Sequence, residues 1–419
     1  MSQTLPLPKQ VDVAIIGAGI TGIATAYYLN SLGASVAVFE KGTLACEQSS
    51  RNWGWVRTLM RDVAEVPLAV RAGVLWRDLQ SEIDVGFRAS GILYLAKSRQ
   101  DVRTYSQWLA RAALNDARML DADAVRAMLP ATSVAWEGAL YSPSDGVAEP
   151  GIATASIAEL ARRRGCHIHE HCAVRGLQAN GGRVTGVLTE RGPVQAGSVL
   201  LAGGAWSRLF GGNVGVELPQ LRVRASVLRA TAPSMPMDIT INGKDFTCRR
   251  GTDGNYVVSQ FNASYADIVP DSFRLLRHYL PSWIANNGLV KLRFGRDFFR
   301  AARVPRRFDP QAATPFEQHR VLDPAPAPAT PSALTKLQQA FPGFRNSRIL
   351  QMWSGYIDVM PDALPVMDRV NACPGLFIAT GFSGHGFGIG PAVGEAMAQL
   401  IEGRAPSVDL TPFRLSRFA

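Results

Sequence analysis

A chain of 419 residues exceeds what one simple core organises, so two or three domains are expected. Apolar residues at 47% and charged residues at 19% exclude a disordered or fibrous chain. The net charge of +10 admits nucleic acid, a membrane surface or an anionic substrate as partner. The basic residues read as scattered, and no helix-turn-helix, zinc-finger or RNA-binding signature accompanies them, which sets nucleic acid aside. Five cysteines, an odd number without a CxxC pair, argue for free thiols in a reducing compartment, so a cytoplasmic location is expected. The N-terminus shows no secretory pattern, and no stretch approaches the roughly 18 apolar residues of a membrane span.

Val11–Ile16 reads as a buried parallel strand, followed at once by Gly17-Ala18-Gly19-Ile20-Thr21-Gly22. A helix is expected over 20–32 and a second strand over 35–39, ending at Glu40. This is GxGxxG in a βαβ setting with an acidic residue closing the second strand. Gly17 permits the tight turn, Gly19 lets the backbone approach a pyrophosphate, and Gly22 lets the helix pack on the strand. The helix N-terminus at Ile20 and Thr21 offers unpaired N–H groups to phosphates, and Glu40 accepts from a ribose hydroxyl. The chain therefore binds a dinucleotide.

Further along come Lys41-Gly42, then Ser49-Ser50-Arg51-Asn52-Trp53-Gly54-Trp55-Val56-Arg57, with Arg61 and Val66-Pro67-Leu68-Ala69 behind them. Asp145 to Pro150 precedes a helix over 151–164, and a strand pair surrounds Val174 and 184–189. Cys166 to Cys172 sets three histidines on one strand face. Same-face residues lie about 6.6–7 Å apart, too far to share one ion at bonds of about 2 Å, so no metal is expected. The run 199–202 ends a further strand before Gly203 and Gly204, with Trp206 just beyond. Near the end, Pro361-Asp362 is followed by Thr380-Gly381-Phe382-Ser383-Gly384-His385-Gly386-Phe387-Gly388 and a last helix over 390–401.

In that order these segments resemble the D-amino-acid oxidase superfamily of FAD-dependent oxidoreductases, in its glycine oxidase and sarcosine oxidase branch. The resemblance covers about 1–90, 145–210 and 350–405, and the middle, about 220–340, matches only loosely. It implies FAD, with Glu40 and Lys41 at the ribose end and Ser49, Ser50 and Arg51 along the pyrophosphate and ribityl chain. Asn52, Trp53 and Gly54 continue that loop. Val174 matches the position whose backbone faces adenine, and Ala202, Gly203, Gly204 and Trp206 match the third strand's close approach. Gly381, Ser383, Gly384, His385, Gly386, Phe387 and Gly388 match the loop over the flavin pyrimidine end, where a helix N-terminus stabilises negative charge. The cysteine that bonds the flavin covalently in sarcosine oxidases has no counterpart in Met352 to Met360, so dissociable FAD is expected.

The fold expected is α/β: a Rossmann-like FAD domain with a parallel sheet (1–88, 146–219 and 341–419). A second α+β substrate domain with a mainly antiparallel sheet takes 89–145 and 220–340. Strands of that second sheet are expected at 90–96, 223–230, 256–259 and 291–294, and the Pro/Ala run 324–329 reads as a stiff exposed loop. Function follows as oxidation of the C–N bond of a small amine or amino acid: an N-substituted glycine, a D-amino acid or a cyclic imino acid. Oxygen or a quinone is the expected electron acceptor. Arg57 is the carboxylate anchor, with Arg61 as a second choice. Trp53 and Trp55 wall the site, His385 meets the flavin or the amine, and Tyr256, Trp353 and Tyr356 are further pocket candidates. The competing readings are an FAD-dependent 2-hydroxy-acid dehydrogenase and the flavin-bearing subunit of a hetero-oligomeric complex.

Overall fold

The computed structural model describes residues 6–260, 264–285 and 290–418. The first sheet runs Val366–Arg369, Leu376–Thr380, Gly192–Leu201, Gln10–Ile16, Val36–Phe39, His167–His169. The last five of these are mutually parallel. Val366–Arg369 and the hairpin strands Val174–Asn180 and Arg183–Thr189 join it antiparallel. Gln10–Ile16 sits in the middle, which is why Val13 to Ile16 is a continuous apolar run buried on both faces.

Helices Ile20–Ser31 and Gly386–Ile401 cover one face. They meet at glycines: a methyl group at Gly390 would lie 2.5 Å from Ile20, and one at Gly394 2.5 Å from Ala24. That close approach brings the N-terminus of the last helix beside the glycine turn of the first. Phe210, Phe316 and Leu218 fill the other face.

The second sheet has ten strands and is mainly antiparallel. Its longest pair is Leu221–Ala230 against Ile349–Val359. Phe246, Tyr256, Phe341 and Phe344 fill its core. Two parallel pairs interrupt the pattern: Thr240–Asn242 with Ile92–Ala96, and Ser264–Asp267 with Val290–Arg293. A two-stranded ribbon, Trp55–Val56 with Gly146–Val147, completes the sheets.

Two sequence-based expectations shift. The span 341–359, assigned with the FAD segments, belongs instead to the second sheet. Ile349–Val359 pairs there with Leu221–Ala230, with one register shift that skips Leu350, and Phe341 and Phe344 sit in its core. The Pro/Ala run is also not simply exposed. Ala327 is 3% exposed and donates its N–H to Ser226 Oγ at 2.8 Å, so the segment straps the sheet.

Candidate active site

A cavity of about 430 Å³ lies where the carboxyl ends of the parallel strands face the second sheet, which contributes Ala225, Val227, Gly355 and Ile357. Open α/β sheets place ligands at this edge. Gly17 turns at φ +106°, and a side chain there would strike Ala202 O at 2.5 Å. A methyl group at Gly22 would lie 2.1 Å from Gly17 O, so this glycine sets the helix against the strand turn. Gly19 is different: its missing side chain would meet only Ser49 Oγ, at 3.1 Å. The space in front of it belongs to the cleft.

Ser49 Oγ accepts the Ile20 N–H at 2.8 Å, and Thr21 lines the cleft beside it. The Glu40 carboxylate accepts from the backbone of Ala18 at 3.0 Å and of Gly42 at 2.8 Å. Burial still raises its pKa against those two N–H groups. Two N–H bonds leave lone pairs for ribose hydroxyls. Val174, Ala202, Gly203, Gly204 and Trp206 line the same end.

Two expected cofactor cations are already engaged. Lys41 pairs with Glu47 at 3.0 Å and lies 4.4 Å over the Trp206 ring. Arg51 donates to the carbonyls of Leu322 (2.7 Å) and Ser354 (3.3 Å) and pairs with Asp323 at 3.1 Å. Both line the cleft, yet both also clamp the 319–323 segment onto it. Asn52 and Trp53 line the cleft too, whereas Ser50, Gly54 and Gly381 do not. Ser50 bonds back to Glu47 O, Gly54 packs on the Ala148 carbonyl, and Gly381 packs on Met360.

Sequence reading missed the residue that ties these loops together. Asp358 is 1% exposed and accepts from Gln48 Nε2 (2.7 Å), Gln220 Nε2 (3.1 Å) and the Gly381 N–H (2.8 Å). Burial raises its pKa against these donors. Its only signal was a lone carboxylate in an otherwise uncharged strand, Ile349–Val359. Arg249, 2% exposed, was missed as well. It holds Glu149 through two 3.0 Å bonds and also donates to the Trp53 carbonyl.

At the flavin end, Ser383, Gly384, His385, Gly386, Phe387 and Gly388 line the cleft at the start of the last helix. His385 Nδ1 lies 2.9 Å from Glu65 Oε2. Glu65 is fully buried, with Arg61 Nη1 3.6 Å from its other oxygen. Burial would raise the Glu65 pKa, but Arg61 and His385 outweigh it and hold the carboxyl at about 2. Desolvation, with Arg61, pushes His385 down to about 4 despite Glu65, and desolvation, with Arg57, brings Arg61 to about 10. An ionised Glu65 only accepts, so Nδ1 carries the hydrogen and Nε2 is left as an acceptor.

Trp53, Trp55 and Tyr94 form an aromatic wall, with successive ring centroids 5.6 and 6.2 Å apart. The Arg57 guanidinium lies 5.8 Å from the Tyr94 ring and donates to the Leu59 carbonyl. Among the described residues no carboxylate lies within ion-pair reach of Arg57. Asp145 pins the backbone behind it, accepting the Thr58 N–H at 2.8 Å and the Thr58 hydroxyl at 2.9 Å; burial nonetheless pushes this carboxyl up to about 6.

The remaining substrate candidates divide. Tyr356 lines the cleft, with Arg222 5.4 Å over its ring. Trp353 does not line it and donates to Arg51 O at 3.0 Å. Tyr256 lies in the core of the second sheet, its hydroxyl on Met237 and its ring 4.9 Å from Phe344. Sequence alternation cannot say which face of a strand meets a cleft formed by a distant segment. His169, of the histidine strand, stacks on Phe39 at 5.5 Å, and burial lowers its pKa to about 4.

The glycine turn, the acidic strand end and the open cradle at Gly19 fit an FAD, and fold and cleft together define a flavoprotein oxidoreductase. Residues 12–400 match the family described as FAD dependent oxidoreductase, and the chain belongs to that family. It is similar to the sarcosine oxidase subunit beta of Arthrobacter sp, 27% identical over 99% of this chain and 92% of that protein. The glycine oxidase of Geobacillus kaustophilus is 26% identical over 98% of each chain. Among solved structures, the L-amino acid deaminase from Proteus myxofaciens, in complex with anthranilate, superposes with a TM-score of 0.96 at 30% identity. That match covers 100% of this chain and 96% of the other.

Proposed function

We propose that this protein oxidises the C–N bond of a small α-amino acid whose carboxylate pairs with Arg57. The observation that carries this reading is a guanidinium lining the cleft without an anion of its own among the described residues. The similar proteins, named as a sarcosine oxidase subunit, a glycine oxidase and an L-amino acid deaminase, support it. Bound FAD supplies the hydride acceptor.

The protein's residues hold the substrate for that transfer. Arg57 fixes the carboxylate in a forked contact, while Arg61, committed to Glu65, backs it. Trp53, Trp55 and Tyr94 exclude water from one side. His385 Nε2 accepts a hydrogen bond from the amine N–H and so orients the nitrogen lone pair toward the bond being oxidised. The imine product then leaves and hydrolyses in water.

Anaerobic titration of the holoenzyme, following flavin bleaching, tests the reading. The panel contains L- and D-amino acids, N-methylglycine and proline, their decarboxylated amines, and 2-hydroxy acids. Carboxylated amines should bleach the flavin at least tenfold more effectively than decarboxylated ones. Bleaching by amines regardless of a carboxylate, or by 2-hydroxy acids alone, overturns it.

Two further outcomes are expected. His385 stays neutral above about pH 4, so its protonation does not change between pH 5 and 9. Activity should rise with pH there only as the substrate amine loses its proton. Replacing His385 with Gln should lower kcat/KM by roughly 10–100-fold, the worth of one strong hydrogen bond. The pH midpoint should stay in place, and a midpoint moved by more than one unit would give His385 the titrating role. The flavin should be non-covalent, since Ile349–Val359 and Met360 contain no cysteine. Acid precipitation should leave the yellow colour in the supernatant; colour retained in the pellet would point to Cys46, which lines the cleft.

A further inference from the structure

One wall of the cofactor cleft is announced by no glycine motif. Residues 315–323 fall in the middle of the chain, in a span assigned by sequence to the second domain, yet they lie against the dinucleotide half. The segment begins with the helix Pro315–Gln318, a single turn, too short to hold itself together in water. Tertiary ties hold it instead.

Its apolar anchor is Phe316, which is 4% exposed, lines the cleft and meets the Trp206 ring edge-on at 5.9 Å. The other ties are polar. Arg320 grips the Glu190 carboxylate with two bonds, at 2.8 and 2.6 Å, and donates to the Lys41 carbonyl at 2.7 Å. Arg175 holds Glu317 in the same forked way, at 2.6 and 3.2 Å. Further on, the Leu322 N–H reaches Glu47 at 3.0 Å.

The partners of these ties frame one end of the cleft. Glu190 also accepts the Ala173 N–H at 2.7 Å, so it fixes the chain just before Val174, and Arg175 stands just after it. Lys41 and Gly42 follow Glu40, the carboxylate that the site offers to a ribose. A methyl group at Gly42 would lie 2.9 Å from Arg320 O, so the segment rests directly on that turn. Val174, Glu40 and Phe316 line the same cleft.

We propose that residues 315–323 are a cofactor-retaining clasp. Phe316 packs against the adenosine half of bound FAD, and Arg320 and Glu317 are positioning residues whose two forked ion pairs keep it there. The division of labour is physical. A buried aromatic ring supplies an apolar wall for a base. The ion pairs stand where solvent reaches them, with the Arg320 side chain 32% exposed and that of Arg175 22% exposed, so water and salt compete for both. The glycine turn sets where FAD binds, and the clasp sets how long it stays.

The rate at which FAD leaves the holoenzyme, followed by the rise in flavin fluorescence on dilution, tests the proposal. Arg320→Ala and Glu190→Gln should each speed release by roughly 10–100-fold. Both together should do little more than either alone, because they remove one contact. Arg320→Lys should restore part of the retention. Release from the parent should quicken in high salt, and Arg320→Ala should lose much of that dependence. Phe316→Leu, which keeps both ion pairs, should speed release and leave the salt dependence in place. Arg163→Ala, which removes an exposed pair with Glu159 inside one helix, is the control. Parent-like release from Arg320→Ala or Phe316→Leu overturns the proposal. So does equal acceleration in Arg163→Ala, which would make the effect a general loosening. The inference rests on the dissociable flavin proposed above, and acid release of the colour tests that reading separately.

Discussion

Replacing Gly19 with valine should give a folded, colourless protein, whereas replacing Gly22 with valine should fail to fold. The two glycines stand three residues apart in one turn, yet their surroundings differ. A side chain at Gly19 meets only a hydroxyl at 3.1 Å, and the backbone there, φ −75° and ψ 177°, suits any residue. The fold therefore accepts valine, and the new methyl groups occupy the path of the pyrophosphate. FAD affinity should fall by roughly 100-fold or more, about 3 kcal/mol. At Gly22 the added carbon falls 2.1 Å from Gly17 O and 3.2 Å from the Ile15 side chain. Overpacking a core ordinarily costs about 1–3 kcal/mol, and contact with backbone at that distance exceeds the range. Circular dichroism and flavin absorbance on the two purified variants separate the outcomes. A yellow Gly19→Val protein would mean that the dinucleotide does not pass this turn.

Arg57→Ala should keep the flavin spectrum and lose roughly 100- to 1000-fold in kcat/KM on a carboxylated substrate, about 3–4 kcal/mol. Arg57 donates to one backbone carbonyl and stacks over Tyr94, so its removal leaves no buried carboxylate unpaired. Arg61→Ala is the contrast. It strips the fully buried Glu65 of its nearest cation and should lower stability before it lowers activity. Arg57→Lys should recover part of the loss, because one ammonium cannot reproduce a two-pronged contact. Parent-like kinetics in Arg57→Ala would move the anchor to another residue.

The dinucleotide half was legible because its physics is local. A turn of three glycines, a strand before it and a carboxylate after the next strand lie within about thirty residues and define one another. Gly19, Ser49, Glu40 and the 383–388 loop accordingly line one cleft. The remaining wall depends on pairings between distant segments. Tyr256 and Tyr356 look alike in sequence, but strand register sends the first into a core and leaves the second at the cleft. The Asp358 hub is assembled from residues 48, 220, 358 and 381, and no window of sequence contains it. Residues 270–307 hold nine Lys and Arg against two Asp, a clustering countable from sequence although the basic residues read as scattered. In helix Leu276–Ala285 the apolar Leu276, Leu280 and Ile284 are exposed while Tyr279 and Ser282 tie the helix to Pro219 and Pro361, a tertiary fact.

The order of strands also sets a timetable. Gln10–Ile16 leaves the ribosome well ahead of one of its neighbours, residues 192–201, whose own neighbour is residues 376–380. Likewise Leu221–Ala230 waits for Ile349–Val359, more than a hundred residues later. Domains form as units, and long-range pairing is slow. The nucleotide turn is therefore made early and stays without its far wall until about residue 388 has emerged. Closure of the cleft around a flavin thus waits for the 383–388 loop and for Ile357, which line it with Ala225 and Val227.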